Sequence, residues 1–252
     1  MENRNIKLII AYDGADYSGW QRQDDKEKTV QGTIECALQQ MHGHSVNITG
    51  AGRTDAGVHA TGQVANFYTD IASIPAEKFV LALNSLLPKD IRIIASGEVP
   101  REFHSRFSAC SRTYRYQFIC GCSAFPHESR YNLQLWHYPN LETLNAYGRL
   151  LLGENDCSIF AGAGDTALRA GNSKNRYVYK AYFYIEGNKL IFEIRANAFL
   201  RNMVRSVAGT FLHYEEKGAS PAELKKIIAS GSRSLAGPTL PPQGLFLRDV
   251  EY

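Results

Sequence analysis

The sequence predicts an α+β fold: two β-α-β-β-α-β halves of the ferredoxin-like kind, residues 1–105 and 106–252, forming a continuous, largely antiparallel sheet with a central cleft. Three observations carry this. Apolar residues recur with period two in some stretches and with helical spacing in others, which separates strands from helices. The order of those stretches in the first half returns in the second, although the residues themselves do not. The 252 residues are 44% hydrophobic and 21% charged, which supports a sizeable core and excludes disorder, coiled coil and low complexity.

In the first half, Ile6 to Tyr12 reads as a strand ended by the turn pair Asp13-Gly14, and Asp16 to Lys28 as a polar loop. Val30, Ile34, Ala37, Leu38 and Met41 recur at helical spacing, and short strands follow at Val46 to Thr49 and Val64 to Tyr68. Pro75 suits a first helical turn. Phe79, Val80, Leu83, Leu86 and Leu87 then make an apolar stripe stopped by Pro88, and Ile91 to Ala95 closes the unit as a strand. The boundary between halves falls near Arg101 to Ser111.

The second half starts with the alternation Tyr114, Tyr116, Phe118, Cys120. Leu141, Leu144, Tyr147, Leu151 and Leu152 mark a helix ended by Gly153. Tyr177 to Ile185 and Leu190 to Ala196 flank a hairpin connection, Glu186-Gly187-Asn188. Phe199, Leu200, Met203, Val204, Val207, Ala208 and Phe211 form the face of the longest helix. Ser220-Pro221-Ala222-Glu223 has capping-box form, and Leu245 to Tyr252 is the last strand.

Lys and Arg number 28 against 25 Asp and Glu, a formal charge of +3 that does not by itself announce a nucleic-acid partner. Five cysteines at scattered positions speak against a disulfide framework and for a reducing, cytoplasmic compartment. No apolar run approaches the roughly 18 residues of a membrane span, so a soluble chain starting near Met1 is expected. Asn47-Ile48-Thr49 is a glycosylation sequon only in a secreted protein and reads here as a strand end. Cys120-x-Cys122 with His127, and His42-x-His44, lack the paired spacing of zinc modules, so no metal is expected.

The chemistry concentrates between the two middle strands of the first half, in Gly50-Ala51-Gly52-Arg53-Thr54-Asp55-Ala56-Gly57-Val58-His59-Ala60-Thr61-Gly62. Four glycines permit tight turns and close approach to a ligand, and Arg53, Asp55 and His59 are reactive side chains on that loop. The order fits neither a P-loop nor a dinucleotide fingerprint. Taken singly, Asp55 reads slightly better as the cap of a turn that Gly57 completes, whereas the loop as a whole reads as functional.

Gly52 to His59, preceded by Tyr12-Asp13-Gly14 and Gly19-Trp20-Gln21-Arg22-Gln23, resembles the tRNA pseudouridine synthase A family. Further matches are Phe103-His104-Ser105-Arg106-Phe107-Ser108, Arg112-Thr113-Tyr114-Arg115-Tyr116, Gly153-Glu154-Asn155-Asp156, Asn197-Ala198-Phe199, Met203-Val204-Arg205 and Gly244-Leu245-Phe246-Leu247. They run in order down nearly the whole chain. The stretch Ala161 to Arg176 departs from the family pattern.

The resemblance implies isomerisation of uridine to pseudouridine at positions 38, 39 and 40 of the tRNA anticodon stem-loop, with no metal or organic cofactor and by a homodimer. It assigns Asp55 as the nucleophile, acting on base or sugar or by assisting elimination at the ribose. Arg205 is its guanidinium partner, which favours the ionised carboxylate; without the resemblance it reads as an exposed helix arginine. Tyr114 is the active-site tyrosine stacking on the target base, and otherwise a half-buried strand residue. Leu245 packs on the uracil, and otherwise in the core. A base within a stem has to leave its stack first, and Arg53 matches the residue that fills the vacated space. Phe103 and Arg106 belong to the substrate-binding set. Arg101, Arg106, Arg112 and Arg115 crowd the boundary between halves, with Arg195, Arg201 and Arg205 following, and would bind phosphates if they line a cleft. Two other function classes stand beside the enzyme: a tRNA-binding module without catalysis, against which Asp55, Tyr114 and Arg205 together speak, and an aspartate-dependent metalloenzyme, which scattered histidines recommend only weakly.

Overall fold

The computed structural model describes residues 4–23, 27–162 and 173–252. It divides into two compact units, Met1–Cys110 with Phe246–Tyr252 and Ser111–Leu245. Among the described residues the fold is mixed α+β, with mostly antiparallel sheet and six helices. Asp24, Asp25 and most of Ala161 to Arg176 lie outside the described residues.

The first unit runs β1 (Arg4–Tyr12), α1 (Val30–His42), β2 (Ile48–Gly50), β3 (His59–Thr69), a 3-10 turn (Ala76–Lys78), α2 (Phe79–Leu86) and β4 (Ile91–Val99). These four strands lie in the order β4-β1-β3-β2, each pair among them antiparallel. α1 starts where Thr29 accepts a hydrogen bond from the Gly32 amide, and ends where Gly43 turns left-handed at φ 73°. Its buried stripe is Val30, Ile34, Ala37 and Leu38. Phe79 of α2 meets Phe67 of β3 edge-on at 5.5 Å, which fixes that helix to the sheet.

The second unit contains β5 (Ser111–Cys120), α3 (Pro126–Ser129), β6 (Leu133–Leu135), α4 (Leu141–Arg149), β7 (Gly153–Asp156), β8 (Asn175–Glu186), β9 (Lys189–Ala196), α5 (Met203–Glu216) and α6 (Pro221–Ala229). Its strand order is β6-β5-β9-β8-β7, antiparallel except for the β5/β6 pair. Glu186 faces Lys189 across a two-residue turn at Gly187 and Asn188, with Gly187 at φ 62°. Phe183 and Phe192 stack at 4.6 Å on the sheet, and Phe211 of α5 and Tyr147 of α4 close over them. The capping box at Ser220 and Glu223 forms as the sequence indicates. The last strand, β10 (Leu245–Glu251), runs parallel to β3 of the first unit, with Phe246 opposite His59 and Leu247 opposite Ala60.

Three boundaries differ from the periodicity. β3 begins at His59, so the end of the glycine-rich segment is strand, held by pairing of Tyr12 with Ala60. α5 begins at Met203 because Asn202 adopts a left-handed backbone at φ 62°, leaving Phe199 and Leu200 ahead of it. α4 ends at Arg149, and Gly153 at φ 88° opens β7 instead of capping a longer helix.

Candidate active site

In the first unit the turn between β2 and β3 is gripped by two segments distant in sequence. Thr54 is the main handle. Its hydroxyl bonds the Tyr12 hydroxyl at 2.8 Å, and its carbonyl accepts the Trp20 amide at 3.1 Å. The Tyr17 carbonyl accepts the Gly57 amide at 3.3 Å, the Asp55 carbonyl accepts the Val58 amide at 3.1 Å, and buried Gln63 donates to the Gly52 carbonyl at 2.7 Å. Contacts are close enough that side chains are excluded. A Cβ at Gly14 would stand 1.9 Å from the Val58 carbonyl oxygen, one at Gly50 2.5 Å from the Trp20 indole, and Gly57 needs φ 76°. Trp20 itself is 2% exposed and tilted against Tyr12 at 6.0 Å.

Within the turn Thr54 and Val58 are buried, Asp55 is half-buried, and Arg53 and Ala56 are exposed. The Arg53 Nε donates to Gln21 Oε1 at 3.1 Å. Asp55 and Arg53 therefore sit on one packed support, and the Asp55 carbonyl closes the turn onto the Val58 amide. His59 is fully buried, stacked on Phe246 at 4.8 Å, with Nδ1 3.0 Å from the Gly14 amide and 3.1 Å from Asp13. It locks the start of β3 from within the core, where Asp55 is only half-buried.

Phe103 and Arg106 flank Ser105, whose hydroxyl donates to the Thr49 carbonyl at 2.5 Å, on the strand that leads into the turn. Phe103 packs on Tyr252 at 4.8 Å, the Tyr252 hydroxyl donates to the Ser105 carbonyl, and the Ser105 amide donates to buried Asn66. Arg106 is exposed and lies 5.7 Å from the ring of Phe107, which is 77% exposed.

In the second unit, Tyr114 is 8% exposed on β5, opposite Ile194 of β9, with Phe199 edge-on at 4.9 Å. Arg205 lies in the first turn of α5. Its Nε donates to the Leu240 carbonyl at 2.6 Å and its Nη1 to Asn202 Oδ1 at 3.0 Å, so it is half-buried and fixed rather than a loose helix arginine. The strap it holds is pinned further by Tyr116, whose hydroxyl donates to the Pro241 carbonyl at 2.6 Å, and by Ser206, 3.0 Å from the Thr239 hydroxyl. Burial raises the Tyr116 phenol well above its ordinary range, with the Arg205 charge opposing. That strap delivers Leu245, 5% exposed, at the head of β10. Sequence reasoning missed Thr54, Gln63, Tyr116 and Asn202 as site-builders. Only the glycine density and the tyrosine alternation pointed toward them.

The arginines part company. Arg115 pairs with Glu186 and lies 5.6 Å from Tyr184, and strand alternation sends it to the face opposite Tyr114. Arg195 bonds Ser111 and lies over Tyr179. Arg112 donates to the Asn197 carbonyl. Among the described residues no group of three His, Cys, Asp or Glu could hold a metal ion, and His42 instead contacts Leu38 and Thr69.

A family described as tRNA pseudouridine synthase matches residues 8–108 and 148–252. A tRNA pseudouridine synthase A of Treponema denticola is 50% identical over 99% of this chain and 93% of its own length. Those of Treponema pallidum and Caldicellulosiruptor saccharolyticus are 44% and 43% identical, over 93% and 99% of this chain and 84% and 100% of theirs. The chain belongs to the tRNA pseudouridine synthase family. Its enzyme class follows: an isomerase acting on tRNA. The family match includes Arg53, Asp55, Phe103 and Arg106 in its first stretch and Arg205 and Leu245 in its second, while Tyr114 falls between them. Among the described residues no helix is long and apolar enough to cross a membrane.

Proposed function

We propose that this pseudouridine synthase acts on the tRNA anticodon stem-loop, at positions 38, 39 and 40, with Asp55 as nucleophile after the target uridine leaves its stack. The observation that supports the assignment to Asp55 is the clamp around Thr54 and Gly57, which holds half-buried Asp55 and exposed Arg53 on a packed turn. A nucleophile has to be held still while its substrate is rotated, and packing from two remote segments supplies that. Arg205 and Tyr114 act with it, Leu245 packs on the uracil, Arg53 fills the vacated stack, and Phe103 and Arg106 contact the RNA. The fixed hydrogen bonds of Arg205 support a directed guanidinium. No metal or organic cofactor enters the chemistry.

The same reading takes the protein as a cytoplasmic homodimer built of two ferredoxin-like halves. The β4-β1-β3-β2 order of the first unit supports the split βαβ arrangement there, and five unpaired cysteines support a reducing compartment. Sedimentation that finds only monomer at working concentration removes the dimer.

The test is incubation with unmodified tRNA transcript and mapping of pseudouridine in the anticodon arm. Wild type is expected to modify it and Asp55→Asn to leave it unmodified. Absence of product from wild type on several tRNAs overturns the proposal, as does full activity of Asp55→Asn.

A further inference from the structure

Behind the turn between β2 and β3, the first unit buries a polar chain that no packing need explains. Glu35 and Gln31 of α1 are 7% and 9% exposed, on the same helix face one turn apart. Glu35 Oε1 accepts from Gln31 Nε2 at 2.9 Å and from the Ile48 amide at 3.1 Å, and Gln31 Nε2 also donates to the Ile48 carbonyl at 3.1 Å. Gln31 Oε1 accepts from Gln21 Nε2 at 2.7 Å and from the Arg22 amide at 3.0 Å. Gln21 Oε1 in turn accepts from Arg53 Nε at 3.1 Å. The second oxygen of Glu35 pairs with Arg22 at 2.9 Å.

The chain has a direction. An ionised carboxylate only accepts hydrogen bonds, so it turns the Gln31 amide nitrogen toward itself and the Gln31 oxygen outward. That oxygen fixes Gln21 the same way, and Gln21 must then offer oxygen to whatever approaches next. A guanidinium, which only donates, is the matching end group. Reversing either amide would set donor against donor or oxygen against oxygen at two places at once. The second Glu35 oxygen has a charge partner in Arg22 but no aligned hydrogen bond, so the geometry is specified along the Glu35 Oε1, Gln31 and Gln21 line, where each amide hydrogen bond is made.

We propose that Glu35, Gln31 and Gln21 form a positioning relay whose product is the orientation of Arg53. The proposal rests on the reading of Arg53 as the residue that enters the vacated base stack. An exposed arginine free to sample its rotamers would lose entropy on insertion, and a pre-aimed one loses less. The three are positioning residues, not catalytic ones.

The experiment is a set of double-mutant cycles with Arg53→Ala, read by single-turnover pseudouridine formation, by tRNA affinity and by melting temperature. Gln21→Ala, at a half-exposed position, is expected to slow product formation about tenfold, with tRNA affinity and melting temperature near wild type. Gln31→Leu and Glu35→Met are expected to slow it similarly whatever they do to melting temperature. None is expected to slow the Arg53→Ala protein further. Losses that add to that of Arg53→Ala overturn the relay while leaving the proposed function standing, as does a Gln21→Ala enzyme at the wild-type rate. A wild type that makes no pseudouridine overturns the proposed function and the relay with it.

Discussion

Gly14→Ala probes whether the turn carrying Asp55 is held by packing as closely as the structure indicates. The new Cβ would sit 1.9 Å from the Val58 carbonyl oxygen and 2.7 Å from its carbon, and both are backbone atoms that no rotamer change can remove. Relief requires the two segments to part by about 1 Å, since carbon and oxygen do not pack below roughly 3 Å. Val58 is hydrogen-bonded through its amide to the Asp55 carbonyl at 3.1 Å, so its displacement carries the turn with it. It also stretches the bond from the Gly14 amide to His59 Nδ1, now 3.0 Å. Overpacking of this order costs about 1–3 kcal/mol, a lowering of the melting midpoint by ~2–4 °C per kcal/mol in a chain of this size. With Asp55 as the proposed nucleophile, the effect on rate is larger, because a 1 Å displacement of a reacting group costs about 100-fold. Single-turnover pseudouridine formation and thermal melting measure the two separately. Gly97→Ala is the matched control: its Cβ meets nothing within 4 Å, and near wild-type rate and stability are expected. A Gly14→Ala enzyme as fast as Gly97→Ala would refute the coupling of this contact to Asp55.

Two further outcomes follow from the same geometry. Thr54→Val and Tyr12→Phe each break the 2.8 Å hydroxyl pair in a buried setting and should each cost about 1–3 kcal/mol in denaturant titration, with the double substitution costing clearly less than the sum; strict additivity would show that the hydroxyls do not act as a pair. Burial pushes the thiols of Cys120 and Cys157 up to about 11, whereas Cys36, Cys110 and Cys122 are exposed. At pH 8 only about one buried thiol in a thousand is ionised, so a thiol-reagent titration should show three fast cysteines and two that react only on unfolding, and five cysteines reacting at one rate would contradict that burial.

Elements whose signal is local are legible in the sequence itself. α1 combines a buried stripe at helical spacing with a Thr cap and a Gly stop, and the hairpin at Gly187 and Asn188 combines turn chemistry with flanking alternation. β6 and β7, three and four residues long, are too short to establish a period. The start of α5 was hidden for a different reason: Phe199 and Leu200 continue its apolar spacing, and only the left-handed backbone of Asn202 interrupts it. Among site residues, the glycine-rich segment drew attention to Arg53 and Asp55, but neither composition nor spacing distinguishes Thr54 as the clamped residue between them. Gln31 and Glu35 read as the polar side of an amphipathic helix, and their burial depends on the Gly19–Gln23 segment folding over them, a tertiary event that periodicity cannot contain.

The motif that identifies the family is therefore mostly a record of packing. Of Tyr12-Asp13-Gly14, Gly19-Trp20-Gln21 and Gly52-Arg53-Thr54-Asp55-Ala56-Gly57-Val58-His59, most members are spent on holding the turn: Tyr12 and Trp20 on Thr54, Gly14 on Val58, His59 on Gly14 and Phe246, Gln21 on Arg53. The less buried members of the turn include exposed Arg53 and Ala56 and half-buried Asp55, and in the proposed function Arg53 and Asp55 are the two that meet the substrate. That ratio is physically required. A base cannot be detached, turned and rejoined unless the attacking group stays in place throughout, and a surface turn of eight residues has no core of its own to fix it. The two remote segments supply that core, which is why, with Asp55 in its proposed role, substitutions at Gly14 or Thr54 should behave in rate measurements much like substitutions at Asp55.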